Sequence, residues 1–401
     1  MEEKSVNQND QKHINSRLVK KQLYLNSPIS RVEIARNLEL TTPAVGAIVA
    51  PLIAQGFVRE QTDTARPSGA GRPRLMLEYV PEAFYICGVD LGPYDTKYVL
   101  TDFCGNLIAS RRSEFPIDEY GITMERLLQE IPTFLEENAA GRKILGIGVS
   151  LPGLISGFEG KIYTTFREGW TDHDLASELS NALHFPVYIE NNVRAKVIAS
   201  EMFDRMVQAE PFAYFSVYYG IACQMIVGDR VLYGDKAAAG EIGHMVVQRG
   251  GPICPTCGNR GCLEATAGER AVLAQCRQVM EEQKDCLLWR LCASAEELTM
   301  EMVLQAQNED DAWVNEVLED VIDYLGIALA NTVNLISPRM VVVDGRIFQI
   351  QKNRELLLSA AERNMFLVHR TKTRVTFLPY DPCRGAKGAA AVVVKEYLSN
   401  E

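Results

Sequence analysis

The sequence lacks the features that would place the chain in or across a membrane. Its 401 residues contain no run of about 18 consecutive apolar residues, so no transmembrane helix is expected. The N-terminal residues 1–13 are polar and acidic, without the apolar core of a secretory signal peptide. We therefore expect a cytoplasmic protein.

A disulfide framework is also not expected, although ten cysteines are present. Seven of them are scattered through a long chain, mostly among apolar residues, whereas disulfide-based folds are typical of small secreted chains. Thiols in such surroundings behave as small buried hydrophobic groups, and a reducing compartment keeps them free. The hydrophobic fraction of 47% is ordinary for a globular protein with large cores.

The remaining three cysteines lie near one histidine. Four candidate metal ligands fall within nineteen positions: His244, Cys254, Cys257 and Cys262. One imidazole and three thiols are the ligands of a tetrahedral zinc site. Glu241 and Glu264 flank this segment, which suggests that a metal loop positions polar groups. The alternative is a cluster of buried thiols without metal.

The net charge of −11 is distributed unevenly. Residues 1–80 carry 11 Lys and Arg against 8 Asp and Glu, a net charge of +3, and the rest of the chain carries −14. A small basic head on an acidic body indicates that only the head could bind a polyanion. Sampling noise in a short segment is the alternative explanation.

Three helices are predicted in the head. Apolar residues over 14–25 follow helical spacing, and Asn26-Ser27-Pro28 ends that helix. Ser30 and Glu33 form a capping box that begins the second helix. Thr41-Thr42-Pro43 begins the third, because threonine caps well and proline is tolerated in a first turn. Two short helices after a longer one are the helix-turn-helix pattern.

Two strands are predicted after these helices, over residues 57–61 and 75–79. The segment between them, residues 62–74, is rich in glycine, proline and arginine, which indicates the wing of a winged helix. Its arginines are candidates for phosphate contacts, and the threonines that begin the third helix are candidates for base contacts. These candidate DNA-binding residues are Thr41, Thr42, Arg66, Arg72 and Arg74.

The third helix is unusual for a recognition helix. Residues 43–51 offer few side chains able to bond base edges. Pro51 is expected within the helix, where it removes a hydrogen bond and favours a kink. Specific DNA binding therefore has two alternatives. The head could read bases only weakly, or it could be a small helical domain that binds another protein.

From residue 85 onward, strands and helices alternate, which predicts two α/β lobes. Strands are expected over 85–91, 97–102, 107–113, 144–150, 187–190, 215–219, 225–227 and 340–344. Helices are expected over 124–140, 174–183, 313–336 and 385–398, with a long helical region over 269–307. Asp90 and Gly92 follow the first of these strands, in a turn that suits either a phosphate or a simple hairpin.

Four motifs resemble the ROK family of repressors and sugar kinases. They are Ser150-Leu151-Pro152-Gly153, Glu190-Asn191, Gly240-Glu241-Ile242-Gly243-His244 and Cys257-Gly258-Asn259-Arg260-Gly261-Cys262-Leu263-Glu264. The resemblance covers essentially the whole chain, and the xylose-repressor subgroup is the most similar. Arg31, together with Arg72, resembles the DNA-binding head of the repressor branch.

The resemblance implies a two-lobed, actin-like sugar-kinase fold (ribonuclease H-like) behind a winged helix-turn-helix. It implies zinc on the four residues of the cluster, which the family uses to hold a sugar-binding loop. The residues that the resemblance assigns to sugar hydroxyls are Asn191, Asn192, Glu241, His244 and Glu264. Cys254 departs from the family spacing by one residue, which puts its role as a ligand in question.

Kinase chemistry is not expected. Where the family carries its catalytic aspartate, the chain has Asn192, which cannot accept a proton. The first phosphate turn, after Asp90, has lost a glycine and a threonine, and the second contains Tyr218 and Tyr219 in place of small residues. Residues 163–169 also differ from the family, whose members often have an asparagine of the sugar-binding region shortly before the position of Trp170.

We therefore predict a sugar-responsive bacterial transcriptional regulator, most simply a repressor, without enzymatic activity. Operator DNA would bind to the head and a sugar or sugar derivative to the body, in a homodimer or homotetramer. The predicted domains are 1–80, then 85–192 with 385–401, and 193–384. The alternatives are a sugar kinase that retains a helix-turn-helix head, and a zinc-stabilised interaction protein.

Overall fold

The computed structural model describes residues 8–62, 74–165, 167, 169–171, 173–206, 211–227 and 230–399. The chain divides into two compact units. Unit 1 contains residues 1–206 and 383–401, and unit 2 contains residues 207–382. In the described part of the chain, no helix is both long and apolar enough to cross a membrane.

The head at the start of unit 1 has the predicted winged-helix architecture. Its helices are α1 (Gln8–Asn26), α2 (Arg31–Asn37) and α3 (Thr42–Ala54), and its strands are β1 (Ile29–Ser30), β2 (Val58–Thr62) and β3 (Leu75–Tyr79). The strands form an antiparallel sheet in the order β1-β3-β2. The predicted tip of the wing, with Arg66 and Arg72, lies outside the described residues.

Local sequence signals begin the two helices of the helix-turn-helix. The Ser30 hydroxyl accepts the Glu33 N–H, and the Glu33 carboxylate accepts the Ser30 N–H, so the capping box is complete. The Thr41 side chain accepts the Ala44 N–H at the start of α3. Pro51 lies in the last turn of α3 rather than in its middle, because the helix ends at Ala54.

The first lobe follows the head within unit 1. Its strands are β4 (Tyr85–Leu91), β5 (Thr96–Asp102), β6 (Leu107–Ser113), β7 (Ile144–Leu151), β8 (Leu154–Ser156), β9 (Lys161–Thr164) and β10 (Val187–Asn191). Its helices are α4 (Tyr120–Asn138), α5 (Leu175–Leu183), α6 (Asn192–Met202) and the C-terminal helix (Arg384–Ser399). Five strands form one sheet in the order β10-β7-β4-β5-β6, in which β7 runs parallel to β4 and β10.

Two glycines let the C-terminal helix lie directly on this sheet. A Cβ at Gly88 on β4 would be 2.0 Å from the Ala386 carbonyl oxygen. A Cβ at Gly148 on β7 would be 1.9 Å from the Ala389 carbonyl oxygen. No larger side chain fits at either strand position. Glycine at these two positions therefore lets the C-terminal helix pack against β4 and β7.

The head and the first lobe share one apolar core. Val19 and Leu23 on α1 are fully buried in the same cluster as Ile198 on α6 and Val394 on the C-terminal helix. An aromatic group lies within this cluster, and the Tyr24 hydroxyl donates to the Phe103 carbonyl oxygen at 2.8 Å. We call this shared core the head–lobe junction.

Unit 2 is built on a second five-stranded sheet, in the order β13-β12-β11-β14-β15. Its strands are β11 (Phe212–Val217), β12 (Ile221–Val227), β13 (Arg230–Val231), β14 (Met340–Gly345) and β15 (Arg374–Phe377). Its helices are α7 (Leu263–Ala267), α8 (Glu269–Glu282), α9 (Leu288–Leu291), α10 (Met300–Asn308), α11 (Ala312–Ile336), α12 (Gln351–Asn364) and α13 (Leu367–Lys372). The buried faces of α8, α10 and α11 form its core.

The long helical region predicted over residues 269–307 is three separate helices, α8, α9 and α10. Thr299 accepts the Met302 N–H and so begins α10 as a new helix. Residues 193–206, which the domain prediction assigns to the second lobe, lie in unit 1. Several elements give no clear signal in the sequence, among them the hairpin β8–β9, α12 and β15.

Candidate metal centre and ligand-binding residues

The four predicted metal ligands converge in unit 2. One ligand atom from each of His244, Cys254, Cys257 and Cys262 lies within 4.8 Å of the others. The Cys254 sulfur is 3.7 Å from His244 Nδ1, and the sulfurs of Cys257 and Cys262 are 3.6 Å apart. Cys254 therefore joins the cluster despite its displaced position in the sequence.

Backbone hydrogen bonds shape the loop that carries the thiols. The Cys254 N–H donates to the Asn259 carbonyl oxygen at 2.7 Å, and the Gly258 N–H donates back to the Cys254 carbonyl oxygen at 2.8 Å. Gly261 has a positive φ of 76°, and a Cβ there would be 1.7 Å from the Gln248 carbonyl oxygen. Glycine at this position lets the chain turn so that Cys262 faces the other ligands.

The donor set fits zinc. Three sulfurs and one imidazole form a soft, four-coordinate set that suits Zn²⁺ better than Mg²⁺ or Ca²⁺. The Asn259 backbone N–H lowers the pKa of the exposed Cys257 thiol, whereas burial raises the pKa of Cys262 to about 12. A bound dication would have to displace the Cys262 proton, so zinc affinity should decrease in acid.

Two carboxylates adjoin the metal loop. Glu264 lies in the first turn of α7, two residues after Cys262, and its Oε1 accepts the Thr256 hydroxyl at 2.8 Å. Glu241 directly precedes a single turn of 3₁₀ helix, Ile242–His244, and is half-buried. A Cβ at Gly243 would be 2.4 Å from the Ile221 carbonyl oxygen, so the turn lies against β12. Glu241, His244 and Glu264 thus belong to one continuous loop region.

The predicted ligand residues of unit 1 begin α6. Asn191 Oδ1 accepts the N–H groups of Val193 and Arg194, and its Nδ2 donates to the Gly153 carbonyl oxygen at 2.9 Å. The Asn191 side chain is therefore occupied as a helix cap. Asn192, half-buried, is the first residue of the helix.

A buried ion pair under this turn was not recognised in the sequence. Glu190 Oε1 accepts both the Asn191 N–H and the Arg194 Nε–H, at 2.7 and 2.9 Å. Arg194 is fully buried and also donates to the Ile155 carbonyl oxygen. The spacing of Glu190 and Arg194, four residues apart, was its only signal. Removing one partner of a buried ion pair strongly lowers the free energy of unfolding, because the other charge stays buried and unpaired. The Glu190–Arg194 pair therefore holds the start of α6 in place.

Residues of the two turns that would face phosphates in a kinase of this family form hydrogen bonds within the chain. In unit 1, Asp90 Oδ1 accepts the Ser150 hydroxyl at 2.7 Å, and the Gly92 N–H closes a β4–β5 hairpin on the Asp95 carbonyl oxygen. Of the two alternatives that the sequence left open for this turn, the structure shows the simple hairpin. A Cβ at Gly385 would be 2.1 Å from the Asp90 carboxylate, so the C-terminal helix also begins against it.

In unit 2, two tyrosines bond one buried carboxylate. The hydroxyls of Tyr214 and Tyr218 donate to Asp344 at 2.7 and 2.6 Å, and Asp344 is fully buried. Burial and the adjacent Asp344 raise the pKa of Tyr218, so its hydroxyl stays neutral and donates. Tyr214 and Asp344 were not singled out in the sequence.

The described DNA-binding candidates of the head are partly engaged with neighbouring carboxylates. Arg31 pairs with Glu60, and Arg74 lies 3.7 Å from Glu33. Both pairs are at the surface, where ion pairs are weak and phosphates can compete for the arginines. Thr41 caps α3, as described above, and Thr42 is exposed.

Comparison with known proteins places this chain in a family. The model of the ROK family matches residues 86–396, which covers most of the chain and begins just after the head. The chain belongs to the ROK family. The resemblance drawn from the four sequence motifs is thereby confirmed.

Curated proteins similar to this chain include repressors and a dual regulator of transcription. The chain is 29% identical over 397 residues to a putative xylose repressor of Caldicellulosiruptor sp. (strain Rt8B.4), with 97% of each chain covered. It is 29% identical over 339 residues to the xylose repressor of Bacillus subtilis (strain 168), covering 84% of this chain and 83% of that protein. The dual regulator NagC of Escherichia coli (strain K12) is 27% identical over 393 residues, covering 97% and 94%.

Solved structures confirm the predicted fold. A ROK family transcriptional regulator, described as a homologue of the E. coli MLC protein, superposes with a TM-score of 0.82 at 24% identity, covering 97% of this chain and 96% of that one. A ROK glucokinase from Streptomyces griseus has a TM-score of 0.66 at 20% identity, covering 77% of this chain and 98% of that one. These likenesses show the fold alone: nearly the whole chain matches the first structure, and about three quarters of it matches the second.

Proposed function

We propose that this ROK protein is a bacterial transcriptional repressor that binds operator DNA through its head and a sugar or sugar derivative through its body. The observation that carries the proposal is the continuous core between a winged helix and a ROK lobe. Because head and lobe share that core, a change in the lobe alters the position of the head. The names of the repressor relatives support the same conclusion.

The altered kinase positions argue against phosphoryl transfer. Asn192 cannot act as the base for a sugar hydroxyl, and the Tyr218–Asp344 hydrogen bond places a large side chain in the turn that should approach phosphate. Binding without turnover is what a sensor requires. We propose that Glu241, His244 and Glu264 of unit 2 recognise sugar hydroxyls through charge-assisted hydrogen bonds. In unit 1 we propose the same role for Asn192, whereas Asn191, whose side chain caps α6, serves to position it.

We propose zinc on His244, Cys254, Cys257 and Cys262 as a structural ion. With these four residues as ligands, zinc would cross-link the loop and would have no open coordination position for a substrate. The residues of the loop would orient the side chains that bind the ligand. The fixed loop orients the His244 ring, and Thr256 orients the Glu264 carboxylate toward a ligand.

Helix α6 provides a route from the ligand residues to the head. Its first turn contains Asn192, and its last turn contains Met202, which is buried in the head–lobe junction. Near that end, Glu201 forms a 2.7 Å ion pair with Lys21 on α1. A ligand that shifts the start of α6 therefore shifts a surface on which the head rests.

We further propose that the active form is a cytoplasmic homodimer or homotetramer. Helix-turn-helix proteins commonly bind two half-sites about one helical turn of DNA apart, which requires two heads. A sugar would then act by changing the spacing of the heads between states of different DNA affinity.

The proposal is tested by selecting genomic fragments with the full-length protein and measuring their affinity. We expect specific binding that weakens steeply as salt rises, because phosphate contacts release counterions. D-xylose and N-acetylglucosamine are then added singly, and one of them, or another monosaccharide of a wider panel, should release the DNA. Equal affinity for all fragments, or affinity independent of salt, would overturn the proposal. An ADP-release assay with the same sugars should give no signal, whereas turnover would favour the kinase alternative.

A further inference from the structure

The outward face of α3 carries only small side chains and a single hydroxyl. Its residues Thr42–Ala54 include no charged and no amide side chain. Val45, Val49 and Leu52 are buried in the head. The exposed residues are Thr42, Pro43, Ala47, Ala50, Pro51 and Ala54.

Among the residues that the structure describes, none requires glycine at position 46. It lies in the middle of α3, four positions before Ala50 and hence on the same side of the helix. A Cβ built at Gly46 meets nothing within 4 Å, so alanine fits there and would favour the helix. The described part of the fold does not need glycine at this position, which is consistent with close approach by a binding partner.

This helix cannot read DNA by the usual hydrogen-bond pairs. Arginine and lysine select guanine, and asparagine and glutamine select adenine, but α3 has none of these. The nearby Arg31 and Arg59 lie against carboxylates, in pairs with Glu60 and Glu78. When these arginines contact DNA, exposed Arg59 and half-buried Arg31 suit phosphates, which orient the head without reading sequence.

We propose that α3 enters the major groove unusually deeply and recognises thymine through its 5-methyl group. The inference rests on the proposed DNA-binding function. Alanine and the methyl group of threonine make favourable apolar contacts with the thymine methyl, and that methyl is unique to A·T pairs in the major groove. Gly46 and Ala50 let the helix backbone lie close enough for these contacts. The operator half-site therefore carries thymines where it faces α3.

The first experiment removes the methyl groups from the DNA alone. A duplex is selected from random sequences by the full-length, zinc-loaded protein, and half-site thymines are replaced singly by deoxyuridine. This change removes the 5-methyl group and keeps every hydrogen-bonding group of the base. We expect each replaced thymine that faces α3 to weaken binding by about threefold to tenfold, the range expected for one buried methyl group.

The second experiment adds one methyl group to the protein. Gly46→Ala should weaken binding to the selected duplex at least tenfold while leaving thermal stability equal or slightly higher. Gly121→Ala is the matched control, because Gly121 also lies in a helix, α4, with nothing within 4 Å of a built Cβ. That control should leave DNA affinity unchanged.

The outcomes separate this inference from the proposed function. A selected duplex that binds tightly but is insensitive to deoxyuridine and to Gly46→Ala overturns the thymine readout and leaves the repressor function standing. Enrichment of guanine at the α3 positions does the same. Failure to select any sequence overturns both, because a repressor must prefer its operator.

Discussion

The head–lobe junction and the metal loop hold their parts together in opposite ways. The junction is an apolar core in which Val19, Leu23 and Ile198 are at most 2% exposed. In the metal loop, by contrast, most residues from Pro252 to Arg260 are exposed, and the side chains that converge are the four candidate metal ligands. Burial of apolar surface stabilises the first region without a cofactor, whereas the second has little core of its own. The head is thus joined to the first lobe by apolar packing, whereas the loop with the candidate metal ligands would gain stability from a bound metal.

The largest expected effect is on the metal loop. Cys262→Ser removes the buried ligand, and we expect it to abolish stoichiometric zinc, measured by elemental analysis of the purified protein. Cys276→Ser is the control, because Cys276 is a fully buried thiol on α8 outside the loop. It should keep one zinc per chain. Full zinc occupancy in the Cys262 variant would contradict the assigned ligand set.

A large effect is also expected at the junction, but on stability alone. Leu23→Ala leaves a cavity between the head and the first lobe, and should lower the free energy of unfolding of unit 1 by about 2–5 kcal/mol. Urea denaturation measures this loss, and zinc content should not change. Leu18→Ala on the same helix, at 40% exposure, should cost far less. Equal costs would show that the two regions do not share a core in solution.

A smaller effect on stability is expected at the hydrogen bonds between the two tyrosines and Asp344. Tyr218→Phe removes one of two hydroxyls that donate to buried Asp344, which should destabilise unit 2 by about 1–3 kcal/mol. Tyr219→Phe is the control, because the Tyr219 hydroxyl pairs with exposed Arg270. Thermal unfolding of both variants distinguishes a structural hydrogen bond from an incidental one.

The smallest effect is expected at the capping box, and it depends on pH. Hydrogen bonds from Ser30 lower the pKa of Glu33 below its usual 4.5. The charged form is therefore favoured by folding, so its contribution is present above about pH 4.5 and is lost as pH falls through the lower folded value. Glu33→Ala should cost about 0.5–1 kcal/mol at neutral pH and less at about pH 3.

The control for this last prediction is Glu125→Ala, which removes an exposed carboxylate from α4. Its effect on unfolding should be small and should vary little between the two pH values. A Glu33 cost that stays constant or grows in acid would show that the carboxylate does not cap α2 in its charged form.

Local signals predicted most of the elements and the metal ligands. The capping box at Ser30 and the cap at Thr41 located α2 and α3, because capping is satisfied within a few residues of the chain. The Cys–His spacing predicted a cluster that the structure brings within 4.8 Å. The tyrosine pair on Asp344 was missed, since Tyr214, Tyr218 and Asp344 meet only through pairing of β11 with β14. The division of residues 269–307 into α8, α9 and α10 was missed, although the Thr299 cap that begins α10 is a local signal.

The sequence by itself determined the family, the candidate metal ligands and the presence of asparagine at position 192, because each depends on which residues stand at short, fixed spacings. Only the tertiary structure decided that Cys254 still reaches the cluster, that Asn191 is occupied as a helix cap, and that the head shares its core with the first lobe. Those outcomes depend on contacts between segments distant in the chain, such as α1 with the C-terminal helix. Long-range packing selects among the arrangements that local spacing permits, and it brought the two ends of the chain into one unit.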